Sequence, residues 1–407
     1  MNNLFNESFQ KLENYIKKTG TKGYEQKDIY SSSLLIFIKQ KGNDPLKVIT
    51  RKESKNSKTD FLRYILSPFY QTKTSQIGLR KILRIKKTRD PKAIAMLARC
   101  YINLYKKNPK KEYKQKIYNL LSWLQRHRSP GIKNYSWGYH YRWPNSPTQT
   151  WPAHTPQSTM TTFIANAFID AYILFNEKKF LNVAESCAKF CIEDLKIIEI
   201  DKDKIYFSYS NIDEGHVINV NAHIGALLAR MYNITKKEKY LTIAKKAFNS
   251  VVHYQQLNGT WTYRAPPEPY LGPPDNYHTG DILEYLYTFK IETGDNSYDK
   301  YFKKGLESYI NLFFEKNGAP KMTDTSLYPI DIHCAAQAII TFSFIKDTDP
   351  RCEPLSKKIA LWTIQNMQDK KGYFYNRIYN TGIIDKTPFF RWCEAWMMFA
   401  LSHLTSA

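Results

Sequence analysis

An internal repeat constrains this chain more than any other feature. Short aromatic segments recur at 134–143 (NYSWGYHYRW), 204–210 (KIYFSYS), 258–264 (NGTWTYR) and 371–377 (KGYFYNR), with NGAPKM at 317–322 as a degenerate copy. Steps of 50 to 70 residues leave room for two helices per period rather than one strand pair, and self-similarity at such a period marks stacked supersecondary units. Each segment is followed by a polar cluster: HTPQSTMT (154–161), HVINVNAH (216–223), DNYHTGD (275–281), YPIDIHCAAQ (328–337) and FFRWCEAW (389–396). An apolar helical stretch follows each cluster, such as TTFIANAFIDAYIL or AAQAIITFSFI, and is apolar on nearly all sides, as a buried inner helix would be.

Between these stretches lie one-sided, charge-rich patterns such as KKEKYLTIAKKAFNSVVHYQQ, which suit an outer layer facing water. The alternation predicts an all-α fold: an (α/α)6-type toroid, or barrel, of helical hairpins with short aromatic strand-like segments at one mouth. Parallel inner helices would gather their N-terminal ends, and the polar clusters with them, on one funnel favourable to anions. The first 75 residues fit the period less well, so the sequence predicts a helical lead-in over 1–75 and the toroid over 76–407.

The stretch PDNYHTGDILEYL (274–286) sharpens the question of chemistry. Asp275 or Asn276 could simply cap a helix, yet both stand where Asn219, Asp331 and Arg391 stand in sister repeats. The proton-transfer candidates are His278, His333, His154 and Tyr277. His223 and His253 are expected as satisfied core histidines, and Asp170 and Glu284 as buried hydrogen-bond partners. Sugars need aromatic platforms and planar polar groups, which Trp137, Tyr139, His140, Tyr141, Arg142, Trp143, Asn219, Asn221, Trp261, Tyr263, Asn276 and Trp392 could supply. Hydrolysis would instead need a carboxylate pair, drawn from Asp275, Asp331 and Glu394. Asp275, His278, Asp331 and His333 mix metal-ligand types but show no recognised ligand spacing, and no cofactor is expected.

Sixty Lys and Arg against 37 Asp and Glu give a formal charge of +23, which favours anionic partners. No nucleic-acid-binding motif accompanies it. No apolar run approaches the eighteen or so residues of a membrane span, SSSLLIFIKQ (31–40) being too short. The start lacks the basic and apolar regions of a secretion signal, and six cysteines without CxxC spacing suit a reducing compartment. These features predict a cytoplasmic protein whose basic surface could dock on the inner membrane. They leave its oligomeric state open.

QQLNGTW (255–261) resembles the Q-x-x-x-G-x-W turn of squalene cyclases and protein prenyltransferases, which implies a toroid. Their chemistry does not follow, because no DxDD-type acid run exists and DIHC (331–334) has the wrong order for the prenyltransferase zinc site. SWGYHYRW, QLNGTWTY, DNYHTGDILEYL, YPIDIHCAAQ and RWCEAWMMFAL, in that order over about 130–405, resemble toroid proteins of bacterial surface-polysaccharide gene clusters. NYHTGDILEYL is also similar to the helix start of heparosan-type glucuronyl C5-epimerases.

These resemblances imply an enzyme acting on an acidic sugar or anionic oligosaccharide by epimerase- or lyase-type proton transfer. His278, His333, Tyr277, Asp275, Asp331, Arg391 and Glu394 are then the catalytic candidates, and Arg142 or Arg391 the carboxylate clamp. The alternatives are a glycoside hydrolase, a non-catalytic glycan-binding scaffold and a terpenoid-cyclising toroid.

Overall fold

The computed structural model describes residues 2–32, 76–144, 150–268 and 271–405. Helices dominate: α1 (Asn2–Thr19), the short α2 (Ile77–Ile82), α3 (Pro91–Lys107), α4 (Lys111–Arg126), α5 (Ser158–Phe175), α6 (Lys178–Lys189), α7 (Ile218–Thr235) and α8 (Glu238–His253). They continue as α9 (Asn276–Thr293), α10 (Asp299–Leu312), α11 (Ile332–Phe344), α12 (Cys352–Met367) and α13 (Trp396–Leu404). Among the described residues α3, α5, α7, α9, α11 and α13 form the inner layer, each packed on the next, and α13 returns to α3 to close the ring. The all-α toroid is therefore the fold.

The inner helices are apolar all round because both faces are covered. Helix α5 is long and apolar enough to cross a membrane, yet 72% of it is buried in the ring as a core element. The outer helices keep one buried stripe, as Phe180, Val183, Ala184 and Cys187 do in α6. All six cysteines are free and buried.

The repeated aromatic segments have two mechanical jobs. At their starts, Trp137 donates its indole N–H to the Leu124 carbonyl and Trp261 donates to Val251, so each tryptophan terminates an outer helix. The glycines turn the chain in the left-handed region, at φ +88° for Gly259, +96° for Gly318 and +102° for Gly372. A Cβ there would meet backbone of the next outer helix, at Lys304 of α10, Lys358 of α12 and Lys11 of α1 respectively. Gln255 and Gln368 repeat a further contact, donating to the Gly259 and Gly372 carbonyls and to Tyr301 in α10 or Ser8 in α1.

These equivalences make α1 the sixth outer helix. Gly23 bridges to Thr88, and the Tyr24 carbonyl accepts from Phe390 N–H, so 23–28 occupies the place of an aromatic segment. The expected lead-in is thus corrected over 2–32, which belongs to the ring, while 33–75 lies outside the described residues.

Short pairings run round the mouth. Gln157 bridges Ser210, Val217 bridges Arg264 and Asp275 bridges Thr323. In the last repeat the bridge widens into a three-stranded sheet of Ile330–Asp331, Arg377–Ile378 and Ile384–Asp385. Each pairing fastens the start of an inner helix to the aromatic segment of the next period, fixing the first-turn side chains against one another.

Candidate active site

All six inner helices offer residues from or just before their first turns to one cavity of about 220 Å³. Lys92 comes from α3, Thr159 and Met160 from α5, Asn219 from α7, Tyr277 and His278 from α9, and His333 from α11. Arg391 and Trp392 come from the single π-type turn Phe390–Ala395 ahead of α13. The mouth segments add Gln26, Lys27, Tyr139, Trp143, Tyr209 and Tyr263.

Asp275 has the capping role and more. Its Oδ1 accepts from the His278 backbone N–H at 2.8 Å, while Oδ2 stands 2.6 Å from His278 Nδ1. One carboxylate therefore fixes both the helix start and the imidazole, and His278 Nε2, which has no hydrogen-bond partner among the described residues, is the nitrogen turned to a ligand. Asp331 repeats the first half, accepting from the His333 N–H at 2.9 Å. Its side chain is otherwise occupied by Arg377 Nε at 2.6 Å and the Trp392 indole at 2.9 Å.

His333 is only 3% exposed, and its Nε2 has no partner among the described residues. Its ring sits 3.8 Å from that of Tyr277, 3.9 Å from Trp392 and 4.0 Å from Trp396. Burial, then the positive charges of Lys92 and Arg391, push its pKa well below the usual histidine value, so it is neutral at physiological pH. Tyr277 lies between the two histidines, 4.8 Å from the His278 ring, and burial keeps its hydroxyl protonated.

Below this layer the His223 imidazole is satisfied on both sides, by Asp281 at 2.8 Å and Thr162 at 3.2 Å, as expected of a core histidine. Asn219 donates to the same Asp281 at 3.3 Å. His253, expected in the core, is exposed at the end of α8.

Several expected site residues are elsewhere. Trp137 and Trp261 are fully buried helix terminators. Asn221 spends its amide on Phe207 N–H and the Ile205 carbonyl, and Asn276 on Phe313 and Tyr309. Glu394 is buried against the Phe374 N–H, with its pKa pushed up by burial. Tyr141 is buried behind Tyr139, His140 bonds Thr88, and Arg142 and His154 are exposed away from the cavity lining. Arg391 lines the cavity, but its Nε is held by Glu25 at 3.0 Å, with Asp90 at 3.6 Å.

Sequence reasoning missed Gln26, Lys27, Lys92, Thr159, Met160 and Tyr209. Tyr209 lies inside a repeat segment and was legible there, whereas the two lysines lie where the aromatic signal is absent. No Asp or Glu lines the cavity among the described residues, so Asp275, Asp331 and Glu394 do not form a facing pair. No cluster of three potential metal-ligating His, Cys, Asp or Glu side chains occurs among the described residues either.

No protein-family model matches the chain, and no curated protein matches it in sequence. Solved structures do match the fold. A cellobiose 2-epimerase from Bacillus thermoamylovorans aligns with a TM-score of 0.62 at 11% identity, covering 78% of this chain and 87% of that one. A family 76 glycoside hydrolase, an α-mannanase from Bacteroides thetaiotaomicron, gives 0.57 at 15% identity over 78% and 85%. A D-mannose isomerase gives 0.55 at 12% identity over 77% and 86%. At these identities the likeness shows a shared α/α toroid.

Proposed function

We propose that this protein is a carbohydrate-active enzyme that moves a proton on its sugar, in the manner of an epimerase or isomerase. One observation carries the reading: two histidines with opposed surroundings share a cavity with no carboxylate pair among the described residues that line it. His278, backed by Asp275, suits the base, because the carboxylate stabilises the imidazolium formed when Nε2 takes a proton from carbon. His333, kept neutral, suits donation of a hydrogen bond to the oxygen where negative charge collects.

The C–H bond breaks and its electron pair moves toward the adjacent carbonyl or carboxyl group. A proton then adds either to the opposite face of the same carbon, giving the epimer, or to the neighbouring carbonyl carbon as the hydroxyl proton moves to the former carbonyl oxygen, giving the isomer. Tyr139, Trp143 and Trp392 provide ring faces for the sugar. The structural neighbours named as sugar epimerase and isomerase agree with this reading. The mannanase neighbours favour hydrolysis, but every carboxylate proposed for that role is held outside the lining. The finer reading, an acidic sugar handled during bacterial surface-polysaccharide synthesis at the cytoplasmic face, rests on the ordered motifs and the cationic lining.

The test is incubation with candidate sugars in deuterium oxide, followed by mass spectrometry and NMR. Solvent deuterium should enter the sugar at one carbon, and His278→Ala and His333→Ala should each slow this by about 10²–10⁴-fold. Release of new reducing ends without deuterium uptake would sink the proposal.

A further inference from the structure

Among the described residues three cations, Lys27, Lys92 and Arg391, line the cavity, and only Arg391 is charge-compensated at close range, by Glu25 and Asp90. Lys27 and Lys92 have no carboxylate within ion-pair distance among the described residues. Lys92 is 6% exposed; its only described polar contact is with the Tyr277 hydroxyl at 3.4 Å, and its ammonium lies 4.6 Å from the Trp396 ring. Asp281, Asp90 and Glu284 act on it only at longer range, and Arg391 opposes them. Lys27 lies 4.2 Å over the Trp143 ring, and the charged groups acting on it are Arg391 and Arg377, both cations.

A buried ammonium without a counter-ion is unfavourable. The cost appears as depressed basicity: loss of water around the buried Lys92 and the half-buried Lys27 brings both down to about 8, and for Lys27 the two arginines add to it. Such groups usually pair with something or become neutral. Here they stand in one cavity with the two histidines, and no Asp or Glu among the described residues lines that cavity.

We propose that Lys27 and Lys92 form an anion site within this cavity, and that the substrate is an acidic sugar whose carboxylate or phosphate lies between them. This rests on the carbohydrate reading above and assigns the two residues that would hold the substrate's charge. The same contact would help catalysis if the anion is the carboxylate next to the carbon that loses its proton, since two ammonium groups would stabilise the electron pair arriving there.

The probes are glucuronate, glucose 1-phosphate and glucose, titrated against the full chain and followed by quenching of tryptophan fluorescence, because Trp143 and Trp392 line the cavity. One of the two acidic probes should bind about tenfold or more tightly than glucose at low salt, and the ratio should shrink as salt rises. Preference for glucuronate assigns a carboxylate, and preference for glucose 1-phosphate a phosphate. Lys27→Met and Lys92→Met should each bring the ratio toward one, while Lys316→Met, an equal charge change at an exposed site, should leave it alone. Thermal melts of both variants separate lost binding from lost folding.

Equal or tighter binding of glucose, or a ratio unmoved in both folded variants, would overturn the proposal. So would trapping of a covalent sugar adduct on Lys92 by borohydride, which would make that lysine a nucleophile. Deuterium uptake by a neutral sugar without anion preference would remove this inference and leave the proton-transfer reading. Anion preference without deuterium uptake by any probe would do the reverse.

Discussion

The two ends of this barrel carry similar kinds of charge and use them oppositely. At the C-terminal end of the inner helices, Asp170 is held by Arg99 at 2.8 Å and Arg230 at 2.7 Å. Arg230 also reaches Glu292 at 3.3 Å and the Asn166 side chain at 2.8 Å. Burial alone would raise the Asp170 pKa, but Arg99 and then Arg230 hold it far below the usual carboxylate range. At the N-terminal end, Lys27, Lys92 and His333 lack such partners among the described residues. Closed networks rigidify, whereas unmet polar groups in a cavity await a ligand. The comparison teaches that charge content says little about where function lies, while charge compensation says much.

Substitutions should separate the ends, most strongly at His278. Asp275→Asn should lower kcat for deuterium exchange by about 10²-fold or more with little change in KM, because the imidazolium loses its carboxylate. The same assay on Asp170→Ala should find kcat/KM unchanged. Chemical denaturation of Asp170→Ala should instead report a loss on the order of 2–3 kcal/mol, since Arg99 and Arg230 would be left facing each other. Exchange activity falling in parallel with that stability would erase the distinction between the ends.

Glu284 probes the axis between them. Buried and accepting from Gln337 at 3.0 Å, it has its pKa raised to about 7 by burial, against the pull of Arg99. The folded state therefore holds its proton longer than the unfolded state, and stability falls as pH climbs from the ordinary carboxylate value to about 7. Glu284→Gln should be close to neutral at pH near 4 and stabilising above pH 7, on the order of 1–3 kcal/mol. Thermal melts across that range would show it, and a pH-independent effect would contradict it. Smaller still is the titration at the mouth: binding of an acidic sugar should weaken several-fold as pH rises through about 8, where Lys27 and Lys92 lose their protons.

The fold was legible because its signals are local and repeated: a turn glycine, a tryptophan that ends a helix, and an apolar stretch behind a polar cluster. About half the site was legible for the same reason. Tyr139, Trp143, Asn219, Tyr263, Tyr277, His278, His333, Arg391 and Trp392 do meet at the mouth. Trp137 and Trp261 misled because they sit two residues before Tyr139 and Tyr263 with the same strand parity. The segment runs inward from the outer layer, so depth along it, which periodicity does not encode, separates core from cavity. Lys92 was hidden in an ordinary helix start, with Asp90 as cap and Pro91 at the first position. Gln26 and Lys27 were hidden because their segment has lost its aromatic signature.

The closure of the ring by α1 also bears on how the protein acquires its site. Glu25 holds Arg391, and Ser8 and Gln368 bond each other across 360 positions of sequence. Five hairpins can stack from neighbour contacts alone as they leave the ribosome, each closing a short loop. The cavity needs walls from residue 26 and residue 392 together, so no contiguous part of the chain shorter than 26–392 contains it. Binding competence should therefore emerge late and all at once during synthesis, when the first segment meets the last turn.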